Sequence, residues 1–255
     1  MIVLDQHLLT MNLSGFVFQA RELSPVMITV PHDGLRDIDF EGLLKTRTTG
    51  YKGRDLHVWP IVRDVLVAYR ACAIRAMIPR DFVDFNRSWP LPKNYYPLTQ
   101  KEVHTALEDP RLPQTYQEYH RVIDILIGKK IQKFGKERCL LLDMHGFIKQ
   151  PPHAPSGGYD IIIGTGNRAS VPHGDVDKKF AKFFQSRGYK IFLPEDKALG
   201  PEEDWYSADF TTRDHSERHG INCLQLEIAR RFRTRTSQEL GKRLSADLAE
   251  FISNL

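Results

Sequence analysis

Cysteine is scarce in this chain. There are three among 255 residues, at Cys72, Cys139 and Cys223. None belongs to a Cys-x-x-Cys pair, so a cysteine-held zinc is not expected. Each lies in an apolar run, where a small buried hydrophobe is the expected role. Long hydrophobic runs are also missing. No stretch reaches the roughly 18 apolar residues of a transmembrane helix, so no membrane partner is expected. The start, Met1-Ile2-Val3-Leu4-Asp5, lacks the charged end and apolar centre of a secretory signal, which makes the reducing cytoplasm the expected setting. Charge of one sign is modest as well. The net charge is +4 and the basic residues are scattered, apart from short stretches such as Ala229-Arg230-Arg231-Phe232-Arg233. Nucleic acid is therefore not an expected partner. Gly164-Thr165-Gly166-Asn167 is not followed by Lys-Ser/Thr, and its glycine spacing does not suit a dinucleotide, so it reads as a turn. Repeats, low-complexity segments and linkers are absent, and one domain over residues 1–255 is expected.

What is present can fold. Hydrophobic residues make up 41% and charged residues 27%, a balance that buries a core rather than leaving the chain disordered. Apolar runs at 26–30, 82–85, 139–144, 159–163, 189–193 and 222–228 read as strands. Threefold and fourfold apolar spacing predicts helices over about 59–77, 115–134, 174–187 and 237–253. Residues 88–113 and 195–210 read as loops, the first rich in proline and aromatics and suited to a lid or a packed surface. Strands alternating with helices give an α/β class.

Four strands run into polar clusters. They are Pro31-His32-Asp33-Gly34, Asn86-Arg87, Asp143-Met144-His145-Gly146 and Gln225-Leu226-Glu227. In an α/β sheet, ligands sit outside the carboxyl ends of the strands, so these clusters are expected to meet in one cleft. Side chains alternate along a strand, so Asp143 shares a face with His145 and can brace a site residue. Two histidines and a carboxylate are a standard catalytic zinc set with a position left for water. Asp33, Asp37, Asp39 and Asp55 are the candidate carboxylates, and spacing does not rank them. Arg87 ends a strand, where it either grips a ligand carboxylate with its planar fork or forms an ion pair with Asp84. Glu227 interrupts an apolar strand, the setting of a general base with a raised pKa or of an arginine-paired glutamate. Arg213, His215 and His219 precede that strand, in a solvated turn or as donors to an oxyanion or a substrate carboxylate.

These motifs, in this order, resemble the N-formylglutamate amidohydrolases, relatives of the zinc carboxypeptidases and aspartoacylases. The resemblance runs over roughly residues 25–235. It is carried by Pro31-His32-Asp33-Gly34, Asp55-Leu56-His57, Asp84-Phe85-Asn86-Arg87, Tyr119-His120, Asp143-Met144-His145 and Gln225-Leu226-Glu227. It implies a three-layer α/β/α sandwich around a mixed, mostly parallel sheet. It further implies Zn2+ held by His32, Asp55 and His145, with Glu227 activating water. Asn86 and Arg87 would hold a substrate carboxylate, and Arg213 or His219 would assist at the oxyanion. The implied substrate is a small N-acyl amino acid, or a short peptide, with a free carboxylate. The family carries a glycine pair before an Arg-His-Tyr-Gly segment, whereas this chain reads Phe210-Thr211-Thr212-Arg213-Asp214-His215-Ser216-Glu217-Arg218-His219-Gly220. That difference bears on which amide is cut. A carboxypeptidase-like peptidase and a non-catalytic carboxylate-binding module are the alternatives.

Overall fold

Val26–Val30 (β3) is a run of five buried apolar or β-branched residues, and it lies near the middle of an eight-stranded sheet. The structure is a computed structural model. It describes residues 9–13, 16–20, 24–34, 55–69, 71–80, 83–89, 111–152, 154–193, 206–234, 236 and 238–255. The other strands are β1 (Leu9–Leu13), β2 (Phe16–Ala20), β4 (Cys72–Ala76), β5 (Leu140–Phe147), β6 (Ile161–Gly164), β7 (Ile191–Phe192) and β8 (Asn222–Ala229). Their order across the sheet is β1-β2-β4-β3-β5-β8-β6-β7. The central strands β4, β3, β5 and β8 are parallel neighbours. Antiparallel pairs occur towards the edges, where β1 meets β2, β2 meets β4, and β6 meets β8.

Alternation along the central strands builds two cores. Val26, Ile28 and Val30, Leu140, Leu142 and Met144, and Leu224, Leu226 and Ile228 face one side. Helices α1 (Val58–Ala68), α3 (Val176–Ser186) and α5 (Gln238–Ser253) cover that side. Met27, Leu141 and Cys223 face the other side, under α2 (Arg111–Phe134) and near Phe210 of α4 (Phe210–His219). The result is the expected three-layer α/β/α sandwich around a mixed sheet. Cys72, Cys139 and Cys223 are buried and free. Among the described residues, no helix is long and apolar enough to cross a membrane.

Several local expectations need correction. The helix expected over 59–77 stops at Ala68, and Tyr69 is already extended at φ −133° and ψ 129°. Residues 72–76 form β4 instead, bonded to β3 on one side and β2 on the other. Ala71, Cys72, Ala73 and Ala76 continue a helical spacing by chance, and two flanking strands outweigh their propensity. The strand expected over 82–85 is not one. Described residues 83–87 are irregular or turn, with the Asn86 N–H donating to Asp84 Oδ1 at 2.9 Å. Val83 and Phe85 are buried because they plug the core beneath α2, not because they pair in a sheet. The loop expected over 88–113 already yields to α2 at Arg111; its residues 90–110 lie outside the described residues, as do residues 195–205 of the second expected loop. The hairpin strands β1 and β2 were not expected.

Candidate active site

Three strand ends bring the polar clusters together. His32 lies two residues past β3, while His145 and Glu227 sit near the ends of β5 and β8 as direct cross-strand partners. Asp55 arrives from before α1, where its N–H donates to the His32 carbonyl at 3.0 Å. His57 at the start of α1 takes φ 66°, which turns the chain from Asp55 into the helix. All four side chains are at least nine-tenths buried.

The geometry is that of a metal centre. His145 Nδ1 lies 3.1 Å from both His32 Nδ1 and Asp55 Oδ2, and His32 Nδ1 lies 3.4 Å from Asp55 Oδ2. A tetrahedral ion with ligands at about 2.0–2.1 Å has ligand–ligand edges of about 3.3 Å, which these distances approach. The donor set fits too. His32 Nε2 is 2.7 Å from Asp84 Oδ1, and His145 Nε2 is 2.9 Å from Asp143 Oδ2. Each carboxylate therefore holds the Nε2–H tautomer and leaves Nδ1 as a lone pair. Two lone pairs and a carboxylate oxygen converge with no donor between them, an arrangement that a cation or an extra proton satisfies. Burial opposes charge on His145, but the Asp143 carboxylate with Asp55 overrides it and holds the ring well above the usual histidine range. Burial likewise opposes charge on Asp55, but bonds from His145 and His32 hold it well below the usual carboxylate range.

The bracing continues outward. Thr29 Oγ1 donates to Asp143 Oδ1 at 2.6 Å. Arg80 donates to Asp84 Oδ2 through Nε at 3.1 Å and Nη2 at 3.0 Å. An ion pair with Asp84 was one of the two expected roles of Arg87; Arg80 provides these bonds. Asp33 is not a ligand in this geometry. Its Oδ2 accepts the Trp59 N–H at 3.1 Å and so caps α1 from a distance. Asp37 and Asp39 lie outside the described residues.

Glu227 faces the histidines from β8. Burial pushes its carboxyl up to about 7, with Asp55 adding to the rise and the histidines opposing it. Gln225 Nε2 donates to Glu227 Oε1 at 3.2 Å and orients it. A cleft of about 440 Å³ opens over these groups, bordered further by Arg80, Asn86, Arg87, Tyr206, Ser207 and Asp209. That volume suits a small molecule. Asn86 borders the same cleft; its Oδ1 accepts the Thr211 N–H at 2.8 Å, and its Nδ2 lies 3.3 Å from His145 Nε2 without bonding to it. Arg87 is more open to the cleft, and its Nη1 donates to the Asn86 carbonyl at 2.7 Å.

Arg213 and His219 are not brought to this site. Residues 210–219 form α4 rather than a turn, and only its amino end meets the cleft. Arg213 points outward beside Gly166. His219 lies at the far end, about 1.5 Å further along per residue, with Nε2 2.8 Å from Asp124 Oδ1. His215 is fully buried and its Nε2 lies 3.1 Å from Nδ1 of His120 on α2. Arg80, Tyr206, Ser207 and Asp209 were missed. Arg80 had a usable signal, because a cation just before a buried aspartate predicts a pair. Tyr206 to Asp209 had none within a polar loop.

The family model described as N-formylglutamate amidohydrolase matches residues 24–233. Among solved structures, an N-formylglutamate amidohydrolase from Ralstonia eutropha JMP134 is 19% identical, with a TM-score of 0.64 over 95% of this chain and 99% of that one. A gene product from Agrobacterium tumefaciens is 14% identical, with a TM-score of 0.61 over 91% and 90% of the two chains. At those identities the likeness is one of fold. No curated protein sequence matches the chain.

Proposed function

Because this chain belongs to the N-formylglutamate amidohydrolase family, we propose that it hydrolyses the amide bond of a small N-acyl amino acid, N-formyl derivatives among them, with a zinc ion held by His32, Asp55 and His145. The observation that carries this reading is the convergence of two carboxylate-backed Nδ1 atoms and Asp55 Oδ2 beside a buried glutamate of raised pKa. A bound zinc ion would acidify a water and polarise the scissile carbonyl. Asp84 and Asp143 keep the rings in the ligating tautomer.

Glu227 takes a proton from the attacking water as its oxygen forms a bond to the carbonyl carbon. When the C–N bond breaks, Glu227 returns that proton to the departing amine. A carboxyl raised by burial suits both halves of this exchange. Arg87 offers its guanidinium to the substrate carboxylate at the mouth of the cleft. Asn86 orients the amino end of α4 through its Oδ1. Arg213 and His219 take no part. The free, buried cysteines agree with a cytoplasmic setting.

The test is a screen of N-formyl, N-acetyl and dipeptide substrates on zinc-loaded protein, with Glu227→Gln as the blank. Release of amine by the native protein and not by the variant is the expected result. Equal release, or none from any amide, would reject the reading.

A further inference from the structure

Asp209 stands at the amino end of α4, at the mouth of the cleft, and its carboxylate does not cap its own helix. Aspartate is among the best capping residues, so the side chain has been drawn elsewhere. It is drawn to Arg87: Arg87 Nη1 pairs with Asp209 Oδ2. The partner is held in place from behind, because the Asp209 N–H donates to Gln225 Oε1 at 2.8 Å and Gln225 in turn bonds Glu227. About two-fifths of the Asp209 side chain remains exposed.

The described wall of the cleft is therefore not a basic one. Arg80 is bonded to Asp84 and Arg87 to Asp209, while Asp55 and Glu227 add negative charge deeper in. A bound divalent ion offsets the deep carboxylates and leaves the mouth as an Arg87–Asp209 pair. Such a pair presents one cationic and one anionic position side by side. A substrate with two carboxylates meets Asp209 with like charge, and rejection by like charge is as effective a source of specificity as attraction.

We propose that Asp209 is a specificity-determining residue that selects N-acyl amino acids bearing a cationic side chain, of the lysine, ornithine or arginine kind, over N-acylglutamate. The substrate carboxylate sits on Arg87 and the side-chain cation on Asp209. For its chemistry the inference rests on the amidohydrolase reading; for the preference it rests on the cleft alone.

The test is calorimetric titration of the zinc-loaded full chain, as Glu227→Gln to prevent turnover, with Nα-acetyl-lysine and Nα-acetyl-glutamate. The lysine derivative is expected to bind about tenfold more tightly, the weight of one partly exposed charge contact. Adding Asp209→Asn should erase or reverse that ratio, and so should Asp209→Ser, another good helix cap, which guards against a folding defect in either variant. Equal or tighter binding of the glutamate derivative would overturn the proposal. So would a ratio unchanged by both substitutions, or binding of neither ligand. Turnover of the same compounds by the native protein decides the amidohydrolase reading separately.

Discussion

At the scale of single residues, the site works by opposed environments for chemically similar groups. Asp55 and Glu227 are both buried carboxylates beside the same histidines, yet bonds from the rings hold Asp55 low while burial raises Glu227 to about 7. Activity needs Glu227 deprotonated, so the rate should fall as pH drops through its pKa. A bound cation favours the charged form, so the holoenzyme midpoint should lie below about 7. Glu227→Gln should lower turnover by roughly 10²–10⁴-fold with metal content kept, and should remove this acid limb. Loss of metal together with loss of activity would assign Glu227 a structural role. Asp143→Asn should weaken metal binding by roughly 10–100-fold, because an amide no longer fixes the Nε2–H tautomer of His145. Metal titration in competition with a chelator measures this, and unchanged affinity would remove Asp143 from the bracing. Much of this scale was legible in the sequence. His32, Asp143, His145 and Glu227 each end or interrupt an apolar run. The choice of Asp55 over Asp33 was not legible, because it depends on which carboxylate the α1 amino end consumes as a cap.

At the scale of elements, the strands that bury both faces were readable and the helix with a polar buried face was not. β3 and β8 are short, wholly buried runs dominated by apolar residues, whereas α4 buries Thr211, Thr212, His215 and Ser216 and has almost no apolar stripe. The chain from residue 58 to residue 76 failed for a different reason: alanine-rich β4 imitates helical spacing until its neighbouring strands are known. The polar face of α4 meets α2 through His120, whose Nε2 donates to the Phe85 carbonyl at 3.0 Å and whose Nδ1 faces His215. Burial lowers His120 to about 3, with the neighbouring His215 adding to the drop. Below the unfolded value of about 6.5 the unfolded chain takes up a proton that folded His120 refuses. Stability from this group is therefore full above about 6.5 and is lost as pH falls towards 3, at no more than about 1.4 kcal/mol per pH unit. His215, also lowered by burial, acts in the same direction. His145, whose pKa is raised, acts in the opposite direction in the metal-free protein. The difference between native and His120→Gln isolates the effect. Urea unfolding at several pH values should give a shallower loss for the variant, and parallel curves would contradict the buried neutral ring.

At the scale of the whole molecule, one side chain ties the sheet to the site. Arg233 is buried and donates to the carbonyls of Ile228 on β8 at 2.9 Å, Phe147 on β5 at 3.0 Å, and Leu56 beside Asp55. Its guanidinium lies where a Cβ on Gly146 would stand, 2.2 Å from the nearest atom. Gly146→Ala should therefore destabilise the fold by about 1–3 kcal/mol and weaken metal binding as well, since the displaced arginine also holds the Asp55 turn. Denaturant midpoints together with metal titration check this, and a neutral substitution would show that Arg233 moves without consequence. The three-layer fold was legible from alternating strands and helices, whereas this tie, which joins residues far apart in sequence, was not. The central claim is that His32, Asp55 and His145 hold one catalytic zinc. X-ray absorption on the zinc-loaded chain, with metal content measured in parallel, tests it most directly. One zinc per chain is expected, with nitrogen and oxygen ligands at about 2.0–2.2 Å, no sulfur, and loss of the ion in His32→Ala and His145→Ala. Failure to retain zinc, a sulfur ligand, or full retention in both variants would contradict it.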